Sequence, residues 1–111
     1  MSTPHSSILE YYQEIADLSG QMLIKAEAQK WDDLVALGTR YQAAVERLKA
    51  LDPLGDEQKT ARRELLTQIL DNDARIRQLI SPELERLSHL LGTFKRQRTV
   101  LQAYYSTVRP H

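Results

Sequence analysis

Cysteine is absent from the 111 residues, and with it go disulfide staples, thiolate zinc sites and cysteine nucleophiles. Such a chain suits a reducing cytoplasm. No stretch approaches the ~20 consecutive apolar residues of a membrane span, and the opening MSTPHSSILEYYQE lacks the basic segment and apolar run of a secretory signal. The expectation is a soluble, cytosolic protein. Neither sign of charge prevails: 15 basic and 15 acidic residues leave a net charge of zero, which removes a dominant non-specific pull towards nucleic acid or anionic lipid. Catalytic signatures are missing as well. There is no glycine-rich phosphate loop and no GxSxG elbow, and His5, His89 and His111 stand in no metal-ligand spacing. These absences predict a protein that is not an enzyme and uses no cofactor or metal.

What is present is a chain 41% hydrophobic and 27% charged, apolar enough to fold and long enough for one domain over residues 1–111. Its four glycines and four prolines mostly punctuate the ends of helical patterns. Ile8, Tyr12, Ile15, Leu18, Met22 and Ala26 recur at spacings of three and four behind a Ser6/Ser7 N-cap, with Glu10 as capping-box partner of Ser7. This predicts a helix over 7–29. A second stripe, Trp31, Leu34, Gly38, Tyr41, Val45 and Leu48, predicts a helix over 31–51 that stops at LDPLGDE. The short link between them implies an antiparallel hairpin. Gly20 and Gly38 fall inside these helices, where a close helix contact would compensate their poor propensity.

A third helix is predicted over 57–91, with Leu65, Ile69, Ile76, Leu79, Leu87 and Leu90 as its core stripe and Leu66, Leu70, Leu84 and Leu91 along its flank. At ~100° per residue the combined apolar arc is about 160°, wider than packing on one hairpin requires. Something further must cover that flank. Ser81-Pro82-Glu83 predicts a kink or restart within this helix, without a change of overall direction. The Asp71-Asn72-Asp73 cluster lacks the glycine and acidic spacing of a calcium loop and reads as a solvated face. Gly92 then punctuates the chain, and Phe94, Leu101, Tyr105 and Val108 predict a fourth helix over 93–108. From Arg86 onward there are five Lys or Arg and no acid, but Lys95, Arg96 and Arg98 are too few to argue for nucleic acid. The fold class is all-α: an antiparallel bundle of three helices plus a C-terminal fourth.

The order of features in KWDDLVALGTRYQAAVERL and LLTQILDNDARIRQLISPELERLSHLLGTFKRQRTVLQAYYS resembles one family, the flagellar export chaperone FliT. The resemblance rests on a Trp-Asp opening helix 2, then LDN, a leucine-rich helix, LSxLLG, a basic RQ segment and AY. It implies a cytoplasmic helical protein that escorts the filament-cap protein FliD, through its C-terminal region, to the type III export gate. Further implied partners are the export ATPase FliI, its companion FliJ and, in some bacteria, the transcription activator FlhDC. Carried over by position, the partner-binding face on helix 3 would include Leu66, Leu70 and Arg77, with Ile80 and Leu84 continuing it. Helix 4 would act as an autoinhibitory lid through Phe94, Leu101, Tyr105 and Val108. The residues themselves leave an alternative open, a homodimeric helical adaptor in which the same apolar flank pairs with a second copy. Neither reading involves direct contact with nucleic acid or a membrane.

Overall fold

Apolar residues at spacings of three and four can bury one face of a helix, and the chain uses this device along its whole described length. A computed structural model describes the backbone of residues 4–50 and 59–108 and the side chains of 9–50, 60–83 and 85–106. Its elements are α1 (Pro4–Glu27), α2 (Trp31–Lys49), α3 (Lys59–Ile80), a single 3-10 turn (Ser81–Glu83) and α4 (Leu84–Val108). No strand occurs among the described residues, so the all-α expectation holds. The expected end of α2 at Leu51 and start of α3 at residue 57 lie outside the described residues.

α1 begins at Pro4 rather than at Ser7, so Ser6 and Ser7 lie inside the helix and not at its cap. Proline favours the first helical turn because its φ is preset and its missing N–H would have had no partner there. At the other end Gln29 adopts φ 58°. The Lys30 N–H donates to the Lys25 carbonyl and the Gln29 N–H to the Ala26 carbonyl, a Schellman closure built without glycine. The chain thereby reverses in three residues. Ion pairs at both ends of the hairpin, Lys25 to Asp33 at 3.4 Å and Arg47 to Glu14 at 2.6 Å, fix α1 and α2 as antiparallel. Being largely exposed, they set register more than stability.

α3 runs parallel to α1 and packs along it. The Asn72 amide donates to the Ser19 hydroxyl at 3.0 Å, which itself donates to the Ala16 carbonyl at 2.8 Å. One turn-pair below, Arg62 hydrogen-bonds Tyr12, whose hydroxyl pKa is raised by burial and partly restored by that guanidinium. α4 closes the bundle, packing along α3 and touching α2 over a shorter stretch. At that crossing Gly38 matters: a Cβ there would lie 2.5 Å from the Leu90 Cδ1, so glycine permits the approach. Gly20 shows no such contact, and the packing explanation expected for it fails.

The core runs through all four helices, from Tyr12, Ile15 and Met22 through Leu34, Tyr41 and Val45 to Leu66, Ile76, Phe94 and Leu101. No helix among the described residues is long and apolar enough to cross a membrane.

Candidate functional site

The stretch expected to be one long helix over 57–91 is two helices. α3 ends at Ile80, the Ser81–Glu83 turn follows, and α4 starts at Leu84. The direction also reverses instead of continuing: Leu91 and Lys95 of α4 line the same cleft as Gln78 and Ala74 of α3, which requires antiparallel axes. Pro82 accounts for the break, since it offers no N–H to continue α3 but suits the start of a new turn. A second bend follows at Leu87, whose φ of −115° and ψ of 19° are not helical. Gly92, by contrast, does not start the fourth helix; it lies well inside α4, and residues 84–91 belong to the returning segment. The apolar arc of about 160° therefore combined faces of two different helices.

That reversal decides what covers the α3 flank. Leu66 and Ile80 are fully buried, while Leu70 is half-buried against the core. On α4, Phe94 and Leu101 are fully buried and Tyr105 packs half-buried on the same core. The side chains of Leu84 and Val108 lie outside the described residues. Of the residues expected from the sequence as a binding face and a cover, Leu66, Ile80, Phe94 and Leu101 thus belong to one continuous core, with Leu70 and Tyr105 packed against it.

The stripe on α3 is also rotated from the expected one. Buried positions are Arg62, Leu66, Ile69, Asp73, Ile76 and Ile80, whereas Leu65 and Leu79 are only partly buried. Alternating steps of four and three make this a heptad seam. An apolar-only reading misses it because two of its six positions are charged. Likewise on α4 the gap between Phe94 and Leu101 is filled by buried Gln97.

Asp73 is the chemical centre of this seam and the clearest departure from the solvated face expected for residues 71–73. Its side chain is wholly buried, and its Oδ2 accepts from the Arg77 Nε at 2.8 Å. Burial pushes the Asp73 carboxyl above its ordinary range, opposed by Arg77 and then by Arg98 of α4. Tyr41 of α2 faces the same group, and burial together with the Asp73 charge drives its hydroxyl pKa far up. The Tyr41 ring stacks at a tilt on Phe94, centroids 5.5 Å apart. Three helices therefore converge on one carboxylate. The Tyr41 hydroxyl, Asp73 Oδ1, Gln97 Oε1 and Arg98 Nε have no hydrogen-bond partner among the described residues. Arg77, assigned to partner binding by resemblance, is a quarter exposed and serves here as the partner of Asp73.

Such an arrangement holds helices together and offers no nucleophile with an adjacent base. Among the described residues no group of three His, Asp or Glu side chains could hold a metal ion. Among the described residues the exposed large apolar side chains are Ile24 of α1 and Val35 of α2, and Val35 lines a cleft shared with Leu87 and Leu90 of α4.

Comparison with known proteins identifies the family. A family model described as flagellar protein FliT matches residues 9–106. A flagellar protein FliT of Serratia proteamaculans (strain 568) is 34% identical over 100 residues, covering 87% of this chain and 82% of the relative. Its counterpart in Yersinia pseudotuberculosis serotype O:3 (strain YPIII) is 36% identical over 104 residues, 90% of this chain and 86% of the relative. The one in Yersinia enterocolitica serotype O:8 / biotype 1B is 37% identical over 103 residues, with coverages of 90% and 86%. No solved structure gives a significant match. On a match that spans α1 to α4 and relatives aligned over most of both lengths, the chain belongs to the flagellar protein FliT family.

Proposed function

We infer that this chain is a cytosolic flagellar type III export chaperone whose partner-binding face is the α3 side of the α3–α4 seam. Family membership supports the flagellar role. The observation that supports the mechanism is that Leu66 and Ile80 are fully buried in a bundle where α4 packs along α3: on this reading a partner reaches them only after α4 leaves. In this reading Leu66, Leu70, Arg77, Ile80 and Leu84 receive an amphipathic segment in place of the stripe formed by Phe94, Leu101, Tyr105 and Val108. Displacement would take Arg98 away from Asp73 while Arg77 stays paired with it on α3, its remaining donors turned towards an incoming carboxylate. The cargo is the C-terminal region of the filament-cap protein FliD. FliI and FliJ would engage when α4 is open, and FlhDC binding would compete for the same face.

The test is titration of a FliD C-terminal peptide into the full chain and two variants. Leu101→Ala loosens the cover and should raise affinity; Leu70→Asp alters the face and should abolish binding while helicity persists. No binding by either the parent chain or Leu101→Ala, both folded, sinks the chaperone assignment. Equal affinity in those two proteins sinks the lid alone.

A further inference from the structure

A second surface lies on the outside of the same helix pair and exists only while α4 is in place. Ala74, Arg77 and Gln78 of α3, with Ser81 of the 3-10 turn, face Leu91 and Lys95 of α4 across an open cleft of about 370 Å³. Its walls have helical spacing: 74, 78 and 81 on one side are steps of i, i+4 and i+7, and 91 and 95 on the other are one turn apart. No acidic residue lines it. Three cations stand on it or beside it, Lys95, Arg77, which is paired with the buried carboxylate of Asp73, and Arg75, which hydrogen-bonds Gln78. Lys95 is exposed and makes no ion pair among the described residues. The floor is apolar, made by Ala74 and half-buried Leu91.

We propose that this cleft docks an acidic amphipathic helix of a partner protein, with a leucine-like side chain on Ala74 and Leu91 and carboxylates one turn away on Lys95 and Arg77. The occupant follows from the walls. Apart from Ser81 at the turn, the lining residues lie inside helices whose backbone N–H groups are already bonded, so the walls build no amide nest of the kind that grips a phosphate. No aromatic ring lines the cleft, so a nucleic-acid base finds no stacking platform. Two cations one or two turns apart instead match carboxylates repeated at helical pitch. The docking does not depend on the chaperone reading above, because it uses the closed seam that cargo binding would open.

The probe is a fluorescein-labelled helical peptide of about 18 residues, long enough to hold a helix, with one face of Leu and Glu at helical spacing. A peptide with Gln in place of Glu and a single-stranded oligonucleotide serve as comparisons. Anisotropy with the full chain should show the acidic peptide binding at least about tenfold more tightly than the Gln peptide, and weakening as salt rises. Lys95→Glu should lower that affinity by about tenfold or more, and Ala74→Trp, which fills the floor, should abolish binding without reversing charge. Equal binding of the Gln peptide, equal or tighter binding of the oligonucleotide, or indifference to both substitutions overturns the proposal. So does salt-sensitive self-association lost in Lys95→Glu, which would make the acidic α1 ridge of Glu10, Glu14 and Asp17 on a second copy the occupant.

Discussion

Phe94→Ala tests the seam most directly. The ring is fully buried and lies 5.5 Å from the Tyr41 ring, so truncation removes a large apolar side chain and an aromatic pair. Core Phe→Ala changes cost about 3–5 kcal/mol, and the tilted pair adds about 0.5–1.5 kcal/mol. Partial collapse of Leu90 and Leu101 into the space favours the lower part of that range, about 4 kcal/mol in all. For a domain of this size the melting temperature should fall by about 15 °C or more. Urea denaturation followed by helix content gives the global loss, and amide exchange shows where it falls. If α4 opens as a unit, its amides should lose protection more than those of α1 and of α3 facing α1. A loss under about 1 kcal/mol by both measures would refute the placement of Phe94 between α2 and α3. Lys95→Ala, exposed one residue away, should change stability by less than about 0.5 kcal/mol.

Three further outcomes follow from particular positions. Asp73 has a raised carboxyl pKa in the fold, so the native chain takes up a proton at a higher pH than the unfolded one. Its contribution is therefore fully present below the unfolded value and lost as pH rises through the folded one; urea stability of the parent minus that of Asp73→Asn should grow on acidification from neutral, and the opposite slope refutes the burial argument. Gln29 holds φ 58° at the hairpin turn, so Gln29→Gly should raise stability by about 0.5–1 kcal/mol in thermal melts, and a loss would mean the Gln side chain stabilises the turn. Gly20→Ala, whose new Cβ meets nothing within 4 Å, should gain about 0.5–1 kcal/mol by the same measurement, whereas Gly38→Ala should gain less because Leu90 must move.

Helix existence was legible because periodicity survives any error in boundaries: Tyr12, Ile15, Leu18, Met22 and Ala26 on α1, and Leu34, Gly38, Tyr41, Val45 and Leu48 on α2, are buried as their spacing requires. Topology after Ile80 was not. Ser81-Pro82-Glu83 is compatible with a kink, a restart or a reversal, because proline dictates only local backbone and a missing donor. The α3–α4 packing chooses between them, and that information is non-local. Gly92 misled for the related reason that a glycine lowers helix propensity by about 1 kcal/mol without forbidding a helix, and buried Leu90 and Phe94 on either side outweigh it. At the site, Leu66 was found as an apolar residue but placed on the flank of the α3 stripe, whereas it is fully buried within it. The seam's own signal was the spacing 62, 66, 69, 73, 76, 80, readable once charged residues are admitted to a core stripe. LDN in this chain is accordingly structural: Asn72 ties α3 to α1, and Asp73 ties α3 towards α4.

The polar residues are not spread evenly over the seams. The α1–α2 interface buries apolar groups, with its ion pairs outside, whereas the α4 seam contains Thr93, Gln97 and part of Arg98 facing Asp73 and the Tyr41 hydroxyl. Each unpartnered buried polar atom there costs about 1–3 kcal/mol unless water reaches it, and four such atoms belong to Tyr41, Asp73, Gln97 and Arg98. Lifting α4 would relieve those costs but expose Leu66, Ile80, Phe94 and Leu101, at about 1.5–3 kcal/mol for each side chain that becomes fully wetted. The two terms are of similar size and opposite sign. On the proposed chaperone reading such a balance would leave α4 closed but displaceable, and a partner that re-buries the α3 leucines and accepts the Arg77 donors would supply the difference. Replacing Asp73 and Gln97 by apolar residues of similar volume would remove that balance in favour of closure, which is why the charge at position 73 has a mechanical meaning that its burial alone does not reveal.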